Sequence, residues 1–236
     1  GLRLDDHSVY GAHWSPRLYG VWRQDDHWTF KGGVSRGFRA PDIRSIVPGY
    51  ATTTGGGGCT YGPNGTCGVI IGDPDLKPET STSFELAAMW DNRYDMSASA
   101  TVFYTDFKDK ISNALVYDDA GNIRRWAEDP NYRLWYNYNV DQAKIRGVEL
   151  NWRWRVTPTL TTRAGYTFTD SKQSGGVYDG YPLSRTPRHR LNLRGDWNAS
   201  AALLVWAGYN FYGKEVNAAA RSGSSGRTLA DGVRQY

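Results

Sequence analysis

The stretch Arg188-His189-Arg190-Leu191-Asn192-Leu193-Arg194-Gly195-Asp196-Trp197 changes character at every step. Its odd positions are His189, Leu191, Leu193, Gly195 and Trp197; its even positions are Arg188, Arg190, Asn192, Arg194 and Asp196. Successive side chains leave opposite faces of a β-strand, so this period of two makes one largely apolar face and one strongly polar face. The same split recurs at 94–104, where Tyr94, Met96, Ala98, Ala100, Val102 and Tyr104 stand against Asp95, Ser97, Ser99, Thr101 and Phe103. It recurs again at 160–169, 28–39 and 147–155. About nine such segments run along the chain, which predicts an all-β fold.

A soluble sandwich also alternates, so the connections decide. Short ones at 24–27, 91–93, 156–159 and 198–201 take turns with long ones at 40–79, about 113–133, 171–187 and from 213 onward. Tight turns at one end and long loops at the other are the pattern of an outer-membrane barrel. Trp22, Trp28, Trp90, Tyr94, Trp154 and Trp197 stand beside the short turns on the apolar parity, as a periplasmic aromatic girdle would. The opposite parity carries Arg17, Arg23, Lys31, Arg39, Glu149, Arg153, Arg163, Arg190 and Arg194. Small barrels fill their interiors with side chains, whereas this charge needs water or a polar plug. The expectation is a transmembrane antiparallel β-barrel, with these strands belonging to a larger one.

Composition agrees with a wall that meets lipid. The 236 residues include 10 Trp and 16 Tyr against 7 Phe, and rings with an apolar body and a polar tip collect at membrane interfaces. Mean hydropathy is −0.61, and no apolar run reaches the roughly 18 residues of a membrane helix; the longest, 199–208, is broken by Ser200. A net charge of +4 without any Lys/Arg run gives no nucleic-acid signature. Cys59 and Cys67 are the only cysteines. Their proximity reads as a local disulfide in an oxidising compartment, with a metal site or free thiols as the alternatives. The chain opens on Gly1-Leu2-Arg3-Leu4, already alternating, so the expectation is a start inside a domain covering 1–236.

Two boxes then carry a family resemblance. Gly33-Val34-Ser35-Arg36-Gly37-Phe38-Arg39-Ala40-Pro41 is followed by Gly72-Asp73-Pro74-Asp75-Leu76-Lys77-Pro78-Glu79-Thr80-Ser81. Together they resemble the TonB-dependent receptor family, in which the first box closes a strand, the second opens the next, and an extracellular loop lies between. Asp73 stands where the family usually has Asn. Further matches follow in family order: 102–111, Tyr138-Asn139-Val140, Ile145-Arg146-Gly147-Val148-Glu149 and Pro182-Leu183-Ser184-Arg185-Thr186-Pro187. Within the family the chain is similar to the catecholate-siderophore group, which shares a cysteine pair just before the second box, here Cys59 and Cys67. The resemblance implies a 22-stranded barrel plugged by an N-terminal domain, with plug and final strands outside this chain. It also implies energy-coupled uptake of a ferric siderophore, with the TonB complex, outer-membrane lipid and lipopolysaccharide as partners and colicins or phages as further candidates.

Motifs with other readings are weaker. Gly33-Val34-Ser35-Arg36-Gly37 matches a hydrolase elbow, but alternation runs through Ser35 where a helix should begin. His7, His13, His27 and His189 are scattered without metal-ligand spacing. Asn64-Gly65-Thr66 and Asn198-Ala199-Ser200 read as turns. Pro41, Pro74 and Pro78 read as strand punctuation. No catalytic residue, metal ligand or cofactor is therefore expected. Recognition is expected in the long loops, at Arg44, Tyr50, Tyr61, Arg124, Arg125, Trp126, Tyr132, Tyr178, Tyr181 and Arg185. Guanidinium groups would meet the charge of a ferric catecholate and rings its flat faces; loop-to-loop packing is the plainer role for each. The lumenal arginines are expected to pair with plug carboxylates. Haem receptors of the family carry a ligating His between the two boxes, and 42–75 has none. Cobalamin or another substrate stays open, and a passive porin would use the same wall without a plug.

Overall fold

In the computed structural model, which describes residues 1–175, 179–183, 186–216 and 233–234, the period-two segments become strands. In chain order these are β1 (Leu2–His7), β2 (Gly11–Arg23), β3 (Trp28–Arg39), β4 (Ala51–Thr54), β5 (Gly68–Ile71), β6 (Glu79–Asp91), β7 (Met96–Leu115), β8 (Arg133–Arg155), β9 (Leu160–Ser174), β10 (His189–Ser200), β11 (Leu203–Tyr212), β12 (Glu215–Val216) and β13 (Val233–Arg234). The helix α1 (Ile43–Ile46) and a 3-10 turn (Gly56–Gly58) lie in the loop after β3. Neither is long and apolar enough to cross a membrane.

Nine of the strands form one antiparallel meander in the order β1-β2-β3-β6-β7-β8-β9-β10-β11. Register decides what the alternation builds. The residues directly opposite one another across eight strands are Trp22, Phe30, Ala88, Ala100, Leu150, Tyr166, Leu191 and Phe211. The next row is Arg23, Thr29, Met89, Ser99, Asn151, Gly165, Asn192 and Asn210. A slip of one residue anywhere would put a polar row into the apolar one. The two faces are therefore continuous properties of the sheet.

Among the described residues nothing covers the apolar face. Leu18 is 73% exposed and Trp22 62%, as expected for a wall that faces lipid on one side. The buried apolar residues cluster instead where a loop lies on the wall: Val69, Leu76, Ala114, Trp135, Val140 and Ala143 are each at most 7% exposed. There β4 pairs antiparallel with β5, and β5 pairs parallel with the start of β8.

The short turns are built by side chains capping backbone. Asp25 accepts from the backbone N–H groups of Trp28 and His27, the first of which does most to hold its carboxyl below the usual range. Asn92 accepts from those of Tyr94, Asp95 and Met96 while Arg93 takes φ 66°. Neighbouring turns are laced together: Asp91 N–H donates to His27 O, and an Arg155 N–H to Tyr94 O.

Three expectations need correction. Tyr94 and Asp95 lie in the turn, since Asn92 draws both backbone N–H groups away from any ladder, and β7 starts at Met96. The connection at 198–201 is shorter than expected, because β10 runs on through a bulge to Ser200. Short and long connections also do not alternate throughout: β1 and β2 are joined at the long-loop end by three residues, with His7 opposite Gly11.

The family-like boxes acquire physical reasons. Arg39 closes β3 directly opposite Glu79, which opens β6. Glu79 is buried, 3.3 Å from Arg39, 3.8 Å from Lys110, and accepts the Ile111 backbone N–H. A buried carboxylate is tolerable only with such partners. Gly147 is required by close approach: a Cβ there would stand 2.5 Å from the Phe103 ring and closer still to the Phe168 carbonyl oxygen.

Candidate ligand-recognition site

The loop between β3 and β6 and the loop between β7 and β8 are one unit. The Cys59–Cys67 disulfide forms, separated by eight positions in sequence, and closes a small loop inside the first. Thr60 and Thr66 exchange hydrogen bonds across its neck. The second loop folds back on itself, with isolated bridges pairing Tyr117 with Ile123 and Arg125 with Arg133. Asp118 shapes its tip by accepting the backbone N–H groups of Asn122 and Ala120, and the first of these is the main reason its carboxyl is lowered.

The two loops meet around Tyr61. Its hydroxyl donates to Asp129 at 2.8 Å and accepts from Asn131 at 3.1 Å. The first bond is the main cause of a raised Tyr61 hydroxyl and a lowered Asp129 carboxyl. Tyr132 packs edge-on against Tyr61 at 5.2 Å and against Trp126 at 6.5 Å. An Arg125 N–H donates to the carbonyls of Gly62 and Asn131, and the Arg133 Nε–H to that of Gly65.

Of the residues expected from sequence, Tyr61, Arg125, Trp126 and Tyr132 thus come together, but as the joint between loops. Arg125 is largely committed to backbone carbonyls, whereas Arg124 beside it is exposed. Arg44 and Tyr50 are exposed on the loop between β3 and β6, at α1 and just before β4. Tyr181 is exposed in the loop after β9, with its carbonyl accepting the Gln173 N–H. Tyr178 and Arg185 lie outside the described residues. Asp129, Asn131 and Arg133 complete the joint and were missed; only the turn-prone Asp129-Pro130-Asn131 hinted at them.

Several lumenal arginines have partners in the wall itself. Arg153, Arg163 and Arg194 form one row across β8, β9 and β10. Arg163 and Arg194 both pair with Asp196 of the wall itself, and Arg39 pairs with Glu79. Those three arginines have carboxylate partners within the sheet. Arg17 and Arg190 lie over the rings of Tyr19 and Tyr212, 4.4 and 5.1 Å from the centroids.

Known proteins share this architecture. A family model described as TonB dependent receptor-like, beta-barrel matches residues 1–233. The iron-regulated outer membrane virulence protein of Vibrio cholerae is 39% identical over 218 residues, which are 92% of this chain and 31% of that protein. The ferric enterobactin receptor PirA of Pseudomonas aeruginosa is 32% identical over 219 residues, 91% of this chain and 28% of that one. Among solved structures, the siderophore receptor PirA from Pseudomonas aeruginosa gives a TM-score of 0.71 at 28% identity, over 90% of this chain and 36% of that chain. The chain thus spans about a third of the length of these relatives. A two-faced meander, tight turns at one end, fused long loops at the other and a family match over nearly every residue leave one assignment: the chain belongs to the TonB-dependent receptor family, as part of the β-barrel wall of an outer-membrane receptor.

Proposed function

We propose that this chain is part of a receptor for energy-coupled uptake of a ferric catecholate siderophore, in a plugged 22-stranded barrel driven through the TonB complex. The observation that carries the reading is the fused loop unit at one end of the wall. It holds an exposed guanidinium, Arg124, two positions before Trp126 of the Trp126–Tyr132–Tyr61 ring cluster. A ferric tris-catecholate is a trianion with flat aromatic faces, so guanidinium and ring edges on one rigid platform suit it. Relatives named as ferric enterobactin receptors, at 30–32% identity, support the same cargo.

The test is transport by the full-length receptor, in iron-starved cells lacking other siderophore receptors. Radioactive iron should enter with enterobactin and its linear derivatives and should stop entering when TonB is deleted. Growth on haem as the iron source, or uptake of radiolabelled cobalamin, with no catecholate uptake, would overturn the proposal. Uptake that survives loss of TonB would point to a passive pore.

A further inference from the structure

Asn64-Gly65 is the one Asn-Gly pair in the chain. It lies within the small loop that the Cys59–Cys67 disulfide closes. Asn64 is exposed there and Gly65 is buried. A glycine has no side chain to shield its backbone nitrogen, so in an unstructured chain that nitrogen readily reaches the preceding Asn side chain.

The reaction that follows is an internal cyclisation. The Gly65 nitrogen gives its proton to hydroxide and attacks Asn64 Cγ. A new N–Cγ bond forms, the Cγ–Nδ2 bond breaks, and the side-chain nitrogen leaves as ammonia with a proton from water. Water then opens the cyclic imide. Cleavage at Cγ leaves Asp, whereas cleavage at the main-chain carbonyl leaves isoaspartate, with one extra methylene in the backbone.

The folded loop opposes the first step. Gly62-Pro63-Asn64-Gly65 is a β-turn with Pro at its second position, and the Gly65 N–H donates to the Gly62 carbonyl at 2.7 Å. That bond holds the proton that must leave and aims the nitrogen at Gly62 instead of Asn64 Cγ. Gly65 has little room to turn. A Cβ built on it would stand 2.8 Å from the Gly62 nitrogen and oxygen, and closer still to the Thr60 carbonyl oxygen. The disulfide and the Thr60–Thr66 hydrogen bonds fasten the neck of the loop. Arg125 and Arg133 donate to the carbonyls at the two ends of the turn, Gly62 and Gly65. Cyclisation therefore waits for the turn to open, and its rate follows the population of the open loop. The isoaspartate product cannot rebuild the turn, because its extra methylene enlarges the ring that the Gly65–Gly62 bond closes.

We propose that Asn64 is a deamidation site, masked by the disulfide-closed loop and unmasked when a thiol reductant opens Cys59–Cys67. Either product puts a new carboxylate on a turn held by Arg125 and Arg133, neither of which has an ion-pair partner among the described residues. The site depends on the loop alone and is independent of the cargo, so it stands or falls apart from the catecholate reading.

The experiment incubates the full-length receptor in detergent, in warm and mildly alkaline buffer, with and without dithiothreitol. A synthetic peptide of residues 61–66 serves as the unstructured reference. Peptide mass spectrometry follows deamidation at position 64, and isoaspartyl methyltransferase labelling separates isoaspartate from Asp. The unreduced receptor should deamidate at least about tenfold more slowly than the peptide, and reduction should remove most of that difference. Thr66→Val, which takes away the hydroxyl that accepts the Thr60 N–H, should accelerate the reaction with the disulfide intact. Asn64→Gln should abolish the signal. Heat-modified mobility on gels would establish that the barrel stays folded throughout. An unreduced receptor that reacts as fast as the peptide would overturn the proposal, as would a reduced receptor that reacts as slowly as the unreduced one.

Discussion

Asn139 holds Lys77 by both of its backbone groups. The Asn139 side-chain oxygen accepts the Lys77 N–H at 2.8 Å, and its nitrogen donates to the Lys77 carbonyl at 2.9 Å and to the Asp109 carbonyl at 2.7 Å. Asn139 lies on β8, Lys77 lies just before β6, and the ladder between β7 and β8 is interrupted at Asp109, which takes φ 54°. One amide thus satisfies backbone groups that no strand pairs, and fastens the end of the long loop to the wall. Asn139→Leu keeps the volume and removes the bonds. It should cost about 1–3 kcal/mol locally, read as faster amide exchange at Lys77 in the full-length receptor. Unchanged protection there would mean that the amide is dispensable.

The register makes a depth-dependent prediction. Leu193 lies between Ala164 and Tyr209 on the lipid face, and Asn192 between Gly165 and Asn210 on the lumenal face. Leu193→Arg should destabilise the barrel by about 2–4 kcal/mol, near mid-wall. Asn192→Arg, one residue away, should cost far less, because the small Gly165 leaves room and the face is wet. Folding titrations into lipid vesicles measure both, and equal costs would contradict the assignment of faces.

Peptide mapping of the unreduced receptor should find the segments holding Cys59 and Cys67 joined. Reducing the bond should destabilise the loop unit by about 2–3 kcal/mol, the value for so small a closed loop. The barrel wall should be unaffected, and proteolysis should move into 55–67. Free, alkylatable thiols in unreduced protein would refute the pairing.

The joint between loops should loosen in acid. Asp129 is held below its ordinary value, first by the Tyr61 hydroxyl and then by the Asn131 N–H. Its folded pKa lies below the unfolded one, so the stabilisation is complete above the ordinary carboxylate range and is lost as pH falls through the lowered value. Tyr61→Phe removes the first cause. Loosening of the loop, followed as hydrogen exchange at Asn131, should then begin at a higher pH than in the parent. Identical acid profiles would assign the shift elsewhere.

Ligand affinity should separate the two adjacent arginines. Arg124→Ala should weaken ferric enterobactin binding about ten- to hundredfold, the loss of one charge-assisted contact of about 1.5–3 kcal/mol. Higher salt should shrink the difference, since the side chain is exposed. Arg125→Ala should instead raise exchange in 60–66, because its guanidinium binds the Gly62 carbonyl. If Arg125 alone controls affinity, the assignment is reversed.

The strands, the turn positions and the two faces were legible in the chain because each rests on local physics. Alternation at 188–197 decides which side chains share a face whatever lies beside it, and Asp25 or Asn92 needs only its own neighbours to make a turn. The boxes around Arg39 and Glu79 announced a family for the same reason, being contiguous patterns. What no local pattern encodes is which row meets which. That Lys144 faces Lys172, that Asp196 takes Arg163 of the neighbouring strand, and that Tyr61 finds Asp129 sixty-eight positions away depend on register and on how loops fall across the wall. Those pairings are set by the summed hydrogen bonds of whole strands and by the burial of Val69, Leu76 and Val140 beneath the loop. They are collective quantities, so only the tertiary structure decided them.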